Sequence, residues 1–564
     1  MTALLTDNLP LLAGAPNGIK KLRELILELA VRGKLVPQDP NDEPASELLK
    51  RITEEKARLV AEGKIKKQKP LAEIDEEAKP FELPVGWQWS SLAQVAFVNP
   101  RNAAADSLEV SFVPMTFIGT RFDDQHAQEP RLWGEVKQGF THFAEGDIGV
   151  AKITPCFENS KACVFSNLAN GLGAGTTELH IIRPVSGTLD ARYVLAYLKS
   201  PQFLLVGETK MTGTAGQKRL PKDFVEANPF PLPPLAEQHR IVAKVDELMA
   251  LCDRLEAQQA DAESAHAQLV QALLDSLTQA SDATDFAANW QRLTEHFHTL
   301  FTTEPSIDAL KQTLLHLAVM GKLVPQDPSD EPASELLKPI AEEKARLISE
   351  EGLRTTARED VPETEHYFTL HAGWAPCRLG NLARFIDYRG RTPTKTSSGI
   401  PLITAKNVRP GFISREPQEF IADTDYLSWM TRGFPRVGDM LFTTEAPMGN
   451  VAIIDIAERF ALAQRVICFQ LHELGTGPFL KLAMMSSGFQ AQLSDAATGM
   501  TATGIKSSRL KEIPVPIPPL AEQHRIVAKV DQLMALCDQL KTRLTQARQL
   551  NQQLASTLVE QVVA

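Results

Sequence analysis

The side chains of this chain best suited to act on a partner fall in a few polar, basic stretches. The first gathers Lys152, Thr154, Asn159, Ser160 and Lys161, and the second Lys210, Thr212, Thr214, Gln217, Lys218 and Arg219. Further along come Arg389, Arg391, Thr392, Thr394 and Lys395, then Lys406, Asn407 and Arg409, and last Thr501, Thr503, Lys506, Ser507 and Arg509. Lys and Arg neutralise phosphates, and Arg forks onto guanine. Asn and Gln suit adenine, while Ser and Thr suit either base or phosphate. Singly, each is an ordinary solvated loop residue. As clusters they fit the readout of nucleic acid.

Other chemistries find less support. Gly171-Leu172-Gly173-Ala174-Gly175 has the look of a nucleotide loop, but such a loop follows a strand and opens a helix. Here it precedes TTELHIIRP, itself strand-like, so a plain turn is expected. Asn228-Pro229-Phe230-Pro231 is similar to the tetrapeptide of amino-methyltransferases. Its counterpart near the C-terminus reads Glu-Ile-Pro-Val-Pro, so a spacer that launches a helix is expected instead. Glu54-x-Lys56 and Glu342-x-Lys344 match the tail of a nuclease motif, yet both lie in charged helical stretches with no aspartate-bearing strand before them; they are expected to be solvated. No GxxxxGK[ST] occurs. No catalytic residue and no metal site is expected.

The elements that hold these clusters come in two copies. Pro233–Asp253 (PPLAEQHRIVAKVDELMALCD) returns as Pro518–Asp538, differing only at Glu247 against Gln532. Gly33–Leu49 (GKLVPQDPNDEPASELL) returns as Gly321–Leu337, differing only at Asn41 against Ser329. Repeats of this kind mark a duplicated structural unit. Between the repeated ends lie two middles that share almost no sequence, so constant frames hold variable inserts.

The first frame opens with an amphipathic helix over 18–32, with Leu22, Leu25, Ile26 and Leu29 on one stripe. Gly33 is placed to end it and Asp42 to cap a second helix reaching about Glu62. Short β-rich runs from Phe81 to about Phe230, with one helix near 190–200, give a mixed α/β insert. A long helix follows from Leu235. Ile241, Val245, Leu248, Cys252 and Leu255 step by four and three, and Ile526, Val530, Leu533, Cys537 and Leu540 repeat the step. That is a heptad seam for packing along another helix. Carried onward it passes Gln259, Ala262, His266, Leu269 and Leu273, where Gln259 and His266 are polar breaks. About 45 helical residues span about 68 Å. The expected division is 1–66, 80–232, 233–350, 365–517 and 518–564, the second and fourth being the inserts.

With 564 residues the chain exceeds a single core, and three or more domains are expected. Hydrophobic residues make up 43% and charged residues 23%, an ordinary globular balance. The net charge of −11 weighs against nucleic acid, but the acids crowd the repeated helices and leave the inserts balanced. Cys156, Cys163, Cys252, Cys377, Cys468 and Cys537 form no CxxC pair and read as free buried thiols in a reducing cytoplasm. No apolar run reaches the roughly 20 residues of a membrane span.

These pieces resemble the specificity (S) subunit of type I restriction–modification systems. The matching phrases are LAVRGKLVPQDP and LAVMGKLVPQDP, the duplicated PPLAEQHRIVAKVD runs, and SFVPM, EGDIGVAKITPCFENSK, TTELHIIRP, RTPTKTSSGIPLITAKNV and VGDMLFTTEAPMGNVAII in the inserts. The resemblance implies an α+β chain. In it, two mixed α/β target recognition domains are separated by long antiparallel coiled-coil helices in a pseudo-twofold tandem repeat. It implies double-stranded DNA as target, read as an asymmetric bipartite site. It further implies two methyltransferase (M) subunits and two ATP-driven restriction (R) subunits as partners in an adenine methyltransferase and endonuclease complex. S-adenosylmethionine, ATP and magnesium would belong to those partners and none to this chain. A tandem frame acts as a pseudo-dimer, and dimers read half-sites about one DNA turn, roughly 34 Å, or a multiple apart. The competing readings are a coiled-coil scaffold that never touches DNA and a stand-alone methyltransferase; the missing cofactor loop and tetrapeptide weigh against the latter.

Overall fold

The computed structural model describes residues 12–62, 74–214, 216–351, 358–367, 370–388, 392–463, 465–497 and 504–563. The chain folds into two compact units, one of residues 1–262 and 547–564, the other of residues 263–546.

In the first unit, helix α1 (Gly18–Val31) ends at Gly33, whose φ of 66° lies in the left-handed region. The amide of Lys34 donates to the Leu29 carbonyl and that of Gly33 to Ala30, closing the last turn. A Cβ at Gly33 would meet the Pro84 ring at 2.4 Å, so the position demands glycine twice over. Helix α2 (Ala45–Ala61) starts after Pro44, and Asp42 does not cap it. The Asp42 carboxylate instead pairs with Arg240 at 2.5 Å, while the Gly86 carbonyl takes the Ala45 amide at 2.9 Å. A long-range ion pair thus outcompetes the local cap.

The first insert begins with β1 (Gln88–Ser91) and β2 (Ala96–Val98) and continues through β3 (Glu109–Val113), β4 (Glu129–Leu132), β5 (Thr141–Ala144), β6 (Ile148–Ala151), β7 (Ala162–Val164), β8 (Leu172–Gly175) and β9 (Leu179–Pro184). Helices α3 (Ala191–Leu198) and α4 (Pro201–Lys210) follow, then β10 (Pro229–Leu232) and the long helix α5 (Leu235–Thr278). One sheet runs β2-β9-β6-β7, a second β4-β3-β8-β5, and β1 pairs with β10. Side chains alternate across the first sheet as a strand requires. Ile148, Val150 and Ile182 join the core shared with α1, α3 and α5, whereas Ala151, Leu179 and Ile181 face a second core with Val113 and Phe143. The expected turn at Gly171–Gly175 is for the most part strand β8. Gly173 is needed there because the Phe143 ring, stacked on Phe165 with centroids 3.6 Å apart, fills the space of a side chain. Of Asn228-Pro229-Phe230-Pro231 the last three residues are strand rather than bare spacer, and the Tyr193 and Tyr197 hydroxyls donate to the Pro231 and Pro229 carbonyls.

In the second unit the plan returns. Helices α6 (Glu304–Val319) and α7 (Ala333–Glu351) precede strands β11 (Ala375–Arg378), β12 (Ala383–Asp387), β13 (Ile400–Ile403), β14 (Val408–Arg409), β15 (Phe412–Ile413), β16 (Phe420–Ile421), β17 (Met440–Thr443), β18 (Val451–Ile453), β19 (Ala461–Leu462) and β20 (Val466–Leu471). Then come α8 (Gly477–Met485), α9 (Ser487–Ala496), β21 (Pro514–Ile517) and α10 (Leu520–Val563). The sheet order β12-β20-β17-β18 matches β2-β9-β6-β7 position for position, and β11 pairs β21 as β1 pairs β10. Parallel β13–β19 and antiparallel β13–β16 repeat β3–β8 and β3–β4. Unlike sequences therefore reach one topology.

Within each unit a long helix packs on the repeated pair. Ile241, Val245 and Cys252 are fully buried and join α1 in one core, with Leu248 and Leu255 at its edge. Ile526, Val530 and Cys537 are likewise buried, with Leu533 and Leu540 half-buried. Beyond Ala262 the buried positions of α5 are Val270, Leu274 and Leu277, packed on α6, while Leu269 is 53% exposed. The continued seam is therefore off by one residue. A helix that keeps 3.6 residues per turn drifts about 20° per heptad, so after four heptads the facing position passes to the next residue. The same register recurs in the first unit, where Ala555, Val559 and Val562 of α10 pack on Leu12, Ala15, Leu25 and Leu29. His266, a polar break in that seam, is half-buried, its ring nitrogen 3.3 Å from the Thr299 carbonyl oxygen. Among the described residues no helix is long and apolar enough to cross a membrane.

Candidate nucleic-acid interface

In the first insert, the loop between β6 and β7 carries Lys152 to Lys161, and the chain after α4 carries Lys210 to Arg219. The structure brings the two together. The Thr154 amide donates to the Lys218 carbonyl at 3.0 Å and the Lys218 amide to Thr154 Oγ1 at 3.1 Å. The Leu220 amide donates to the Lys152 carbonyl at 2.7 Å, and Thr212 and Arg219 exchange both backbone bonds. Asn159, Lys210, Thr212, Thr214, Gln217, Lys218 and Arg219 are exposed on this crossing. Among the described residues, Lys210 and Lys218 have no ion pair.

Other members of the cluster are spent inside the protein. Thr154 is buried and its hydroxyl accepts from Lys218, so it shapes the loop rather than touching a partner. Lys161 donates its ammonium to the Met115 carbonyl at 2.9 Å. Arg219 is held by a two-pronged bond to Glu178 at 2.9 and 3.0 Å, which pulls the Glu178 carboxyl below its usual range.

The second insert repeats the crossing. The loop Thr444–Asn450 between β17 and β18 meets the segment after α9, with the Ile505 amide donating to the Thr444 carbonyl at 3.1 Å and a bridge between Glu445 and Gly504. Lys506, at the N-terminus of helix 507–512, and Arg509 are exposed, and Ser507 is half-buried. Thr501 and Thr503, like Arg389 and Arg391, lie outside the described residues. Thr392, Thr394 and Arg409 are exposed. Lys395 pairs with Glu419 at 2.8 Å and Lys406 approaches the same carboxylate at 3.7 Å. Asn407 is not a reading group. It is 1% exposed, and its amide oxygen accepts from Thr404 while its nitrogen donates to the Ser414 and Pro417 carbonyls. A short Asx-type loop consumed the side chain.

Sequence reasoning missed three charged groups. Glu178 and Glu419 temper the basic loops, and no linear signal marks them because each pairs across the fold. Lys199 is 3% exposed, and burial pushes its ammonium down to about 8. Lys56, expected to be solvated, is half-buried. Its ammonium donates to the Ala93 and Ala96 carbonyls at 2.7 and 2.8 Å, and burial lowers it to about 8. The copy, Lys344, donates to the Asn381 side chain at 2.7 Å.

The frame supports each insert with one repeated network. Trp87 donates its indole N–H to Glu237 at 2.9 Å and Gln38 donates to the same carboxylate at 3.2 Å. Trp374 and Gln326 do so to Glu522 at 3.0 and 3.4 Å. Burial raises both glutamates above the usual carboxylate range. Arg525 pairs with Asp330 at 2.6 Å as Arg240 does with Asp42. The six cysteines are free, and all but the half-buried Cys156 are buried. Among the described residues no group of His, Cys, Asp and Glu is arranged to hold a metal.

Comparison with known proteins places the chain in a family. Residues 372–549 match the family model for the type I restriction modification DNA specificity domain. The chain is 48% identical over 554 residues to the type I restriction enzyme EcoAI specificity subunit of Escherichia coli, covering 97% of this chain and 94% of that one. It is 47% identical over 556 residues to the EcoEI specificity subunit of the same organism, covering 96% and 93%. A chain from a solved structure on complex assembly and conformational transition of the type I R-M system superposes with a TM-score of 0.51 at 18% identity, covering 86% of this chain and 99% of that chain. The protein therefore belongs to the specificity subunits of type I restriction enzymes.

Proposed function

We propose that this chain is the DNA-reading subunit of a type I restriction–modification complex, recognising an asymmetric bipartite site and positioning the catalytic subunits. The observation that carries the reading is the pair of inserts. They share sheet order and the same crossing of two loops, yet carry different side chains there. Each insert reads one half of the target with its own loop chemistry. The long helices act as paired struts in antiparallel coiled coils, and the duplicated frame gives the chain a pseudo-twofold repeat. Two methyltransferase subunits dock on the two copies of the frame, and two restriction subunits join for cleavage. S-adenosylmethionine, ATP and magnesium are held by those partners, which carry out adenine methylation and DNA cleavage.

The test is to purify the chain with its methyltransferase partner, profile methylated sites across a genome, and titrate binding to a matching duplex against salt. A two-part asymmetric motif and a steep fall in affinity with salt are expected, because each neutralised phosphate releases counterion. A scaffold without DNA readout would give neither.

A further inference from the structure

Lys199 ends the last turn of α3, and its ammonium is enclosed by the protein. It donates to the Ser160 carbonyl at 2.7 Å and to the Thr120 carbonyl at 3.0 Å. These oxygens belong to separate segments. Ser160 sits near the end of the β6–β7 loop with a left-handed φ of 57°. Thr120 lies between β3 and β4, beside Arg121. The Arg121 guanidinium pairs with Asp253 of α5 and lies 3.5 Å from Glu256. Arg23 of α1 grips the same two carboxylates at 2.7 Å each. A second ammonium, that of Lys161, also ties the loop to this segment, through the Met115 carbonyl at 2.9 Å.

A buried ammonium is an expensive way to fill space, and an apolar side chain of similar length does so without losing hydration. The second insert has a half-buried methionine at the corresponding position. Met485 stands just before Ser486, which caps α9, as Lys199 stands just before Ser200, which caps α4. The two helix pairs are otherwise built alike, with Phe203 and Phe489 fully buried three residues after each serine. The first insert therefore accepts a desolvated charge that the shared fold does not require.

We propose that Lys199 is a positioning residue for DNA readout by the first insert: it locks the Lys152–Lys161 loop to the Thr120–Arg121 segment, and through Arg121 to the long helix, so that the loop presents one shape to its half-site. This rests on the reading of each insert as a half-site reader. The lysine does not touch DNA; it fixes the carbonyl at the end of the loop whose neighbours, Lys152 and Asn159, are set to touch it.

The test uses the full chain assembled with its methyltransferase partner. Lys199→Met installs the residue of the second insert and Lys199→Gln keeps one polar donor. Methylation kcat/KM is measured on duplexes carrying single base-pair changes in either half of the site, beside the unfolding midpoint. The expected result is a fall of tenfold or more in discrimination at first-half positions for Lys199→Met, a smaller fall for Lys199→Gln, and second-half discrimination within twofold of the parent. Equal loss in both halves, or a change in midpoint with discrimination intact, would overturn the proposal and leave the lysine a structural residue. Should Lys199→Met not fold, Lys199→Gln carries the same comparison. If the parent complex discriminates in neither half, the half-site reading itself falls, and the lysine's role with it.

Discussion

Where α1 faces the long helix, one half of the molecule sets Arg23 and Arg121 against Asp253 and Glu256; the other sets Lys311 against Asp538 and Lys541 against Asp308. The positions correspond, but Glu256 has become Lys541, and among the described residues no side chain of the second insert enters the cluster. By contrast, the tryptophan–glutamate–glutamine network and the Asp–Arg pair are the same in both halves. The difference teaches where constancy is needed. The frame is held constant where it seats the base of an insert, at β1 or β11. It drifts where an insert's own loops reach it. Lys199 against Met485 follows the same division.

The largest effect that would break the comparison concerns the inserts as wholes. Replacing residues 81–230 with the first insert of another specificity subunit should change one half of the methylated sequence completely and leave the other half unaltered in genome-wide methylation profiles. A change in both halves would mean that the inserts do not read independently. Next in size is the constant network. Glu237→Ala leaves the buried Trp87 indole N–H without its acceptor, and should cost about 1.5–3 kcal/mol in denaturant unfolding. Glu522→Ala should cost the same, and the two losses should add because the networks share no residue. A disparity above about 1 kcal/mol between the single variants would show that the copies are not mechanically alike.

The duplicated frame was legible because its signals are local and periodic. The stripe of α1, the stop at Gly33 and the seam from Ile241 to Leu255 each follow from spacing alone. The family resemblance was legible from whole phrases. The misread positions share another cause. Asp42 was drawn from its capping role by Arg240, and Lys56 was buried under carbonyls of the insert. Gly173 looked like a turn but serves a stacked phenylalanine pair. Asn407 looked like a reading group but is folded into its own loop. For Asp42, Lys56 and Gly173 a partner distant in sequence decided the outcome, and no linear pattern reports such partners; for Asn407 it was the closure of its own loop. The basic clusters were found as sets, but which members face outward depended on Glu178 and Glu419, whose pairings appear only when the chain folds.

Acid should separate the inserts more gently. His180 of the first insert is buried between Asn99 and the Leu220 carbonyl, 3.3 and 2.9 Å away, and His142 lies buried near the Lys137 carbonyl. Burial lowers both below the ordinary histidine value of 6.5. The folded state therefore keeps them neutral where the unfolded chain takes up protons. Stability from this source is complete above the ordinary value and falls as pH drops through about 6.5 and below. Among the described residues of the second insert, only the half-buried His472 is lowered in the same way. Between pH 7.5 and 5.5 the unfolding midpoint should fall, and His180→Gln should reduce that fall. An unchanged slope in this variant would place the acid sensitivity elsewhere.

The smallest effect is the most specific to the comparison. Glu256→Lys gives the first half the residue of the second. Glu256 is 57% exposed and Arg121 39%, and Asp253 remains to hold both arginines. An exposed pair of this kind is worth about 0.2–1 kcal/mol, so the loss should stay within that range. It should also vanish near 1 M salt, where the screening length is about 3 Å. A larger, salt-insensitive loss would mean that Arg121 acts by packing and not by charge. If the charge account holds, the positions on the frame carry a weak address. The first insert moved to the second position would set Arg121 against Lys541, and Lys541→Glu should recover the stability lost on transfer. An insert that fits both positions equally, with and without that change, would show that the frame does not distinguish its two guests.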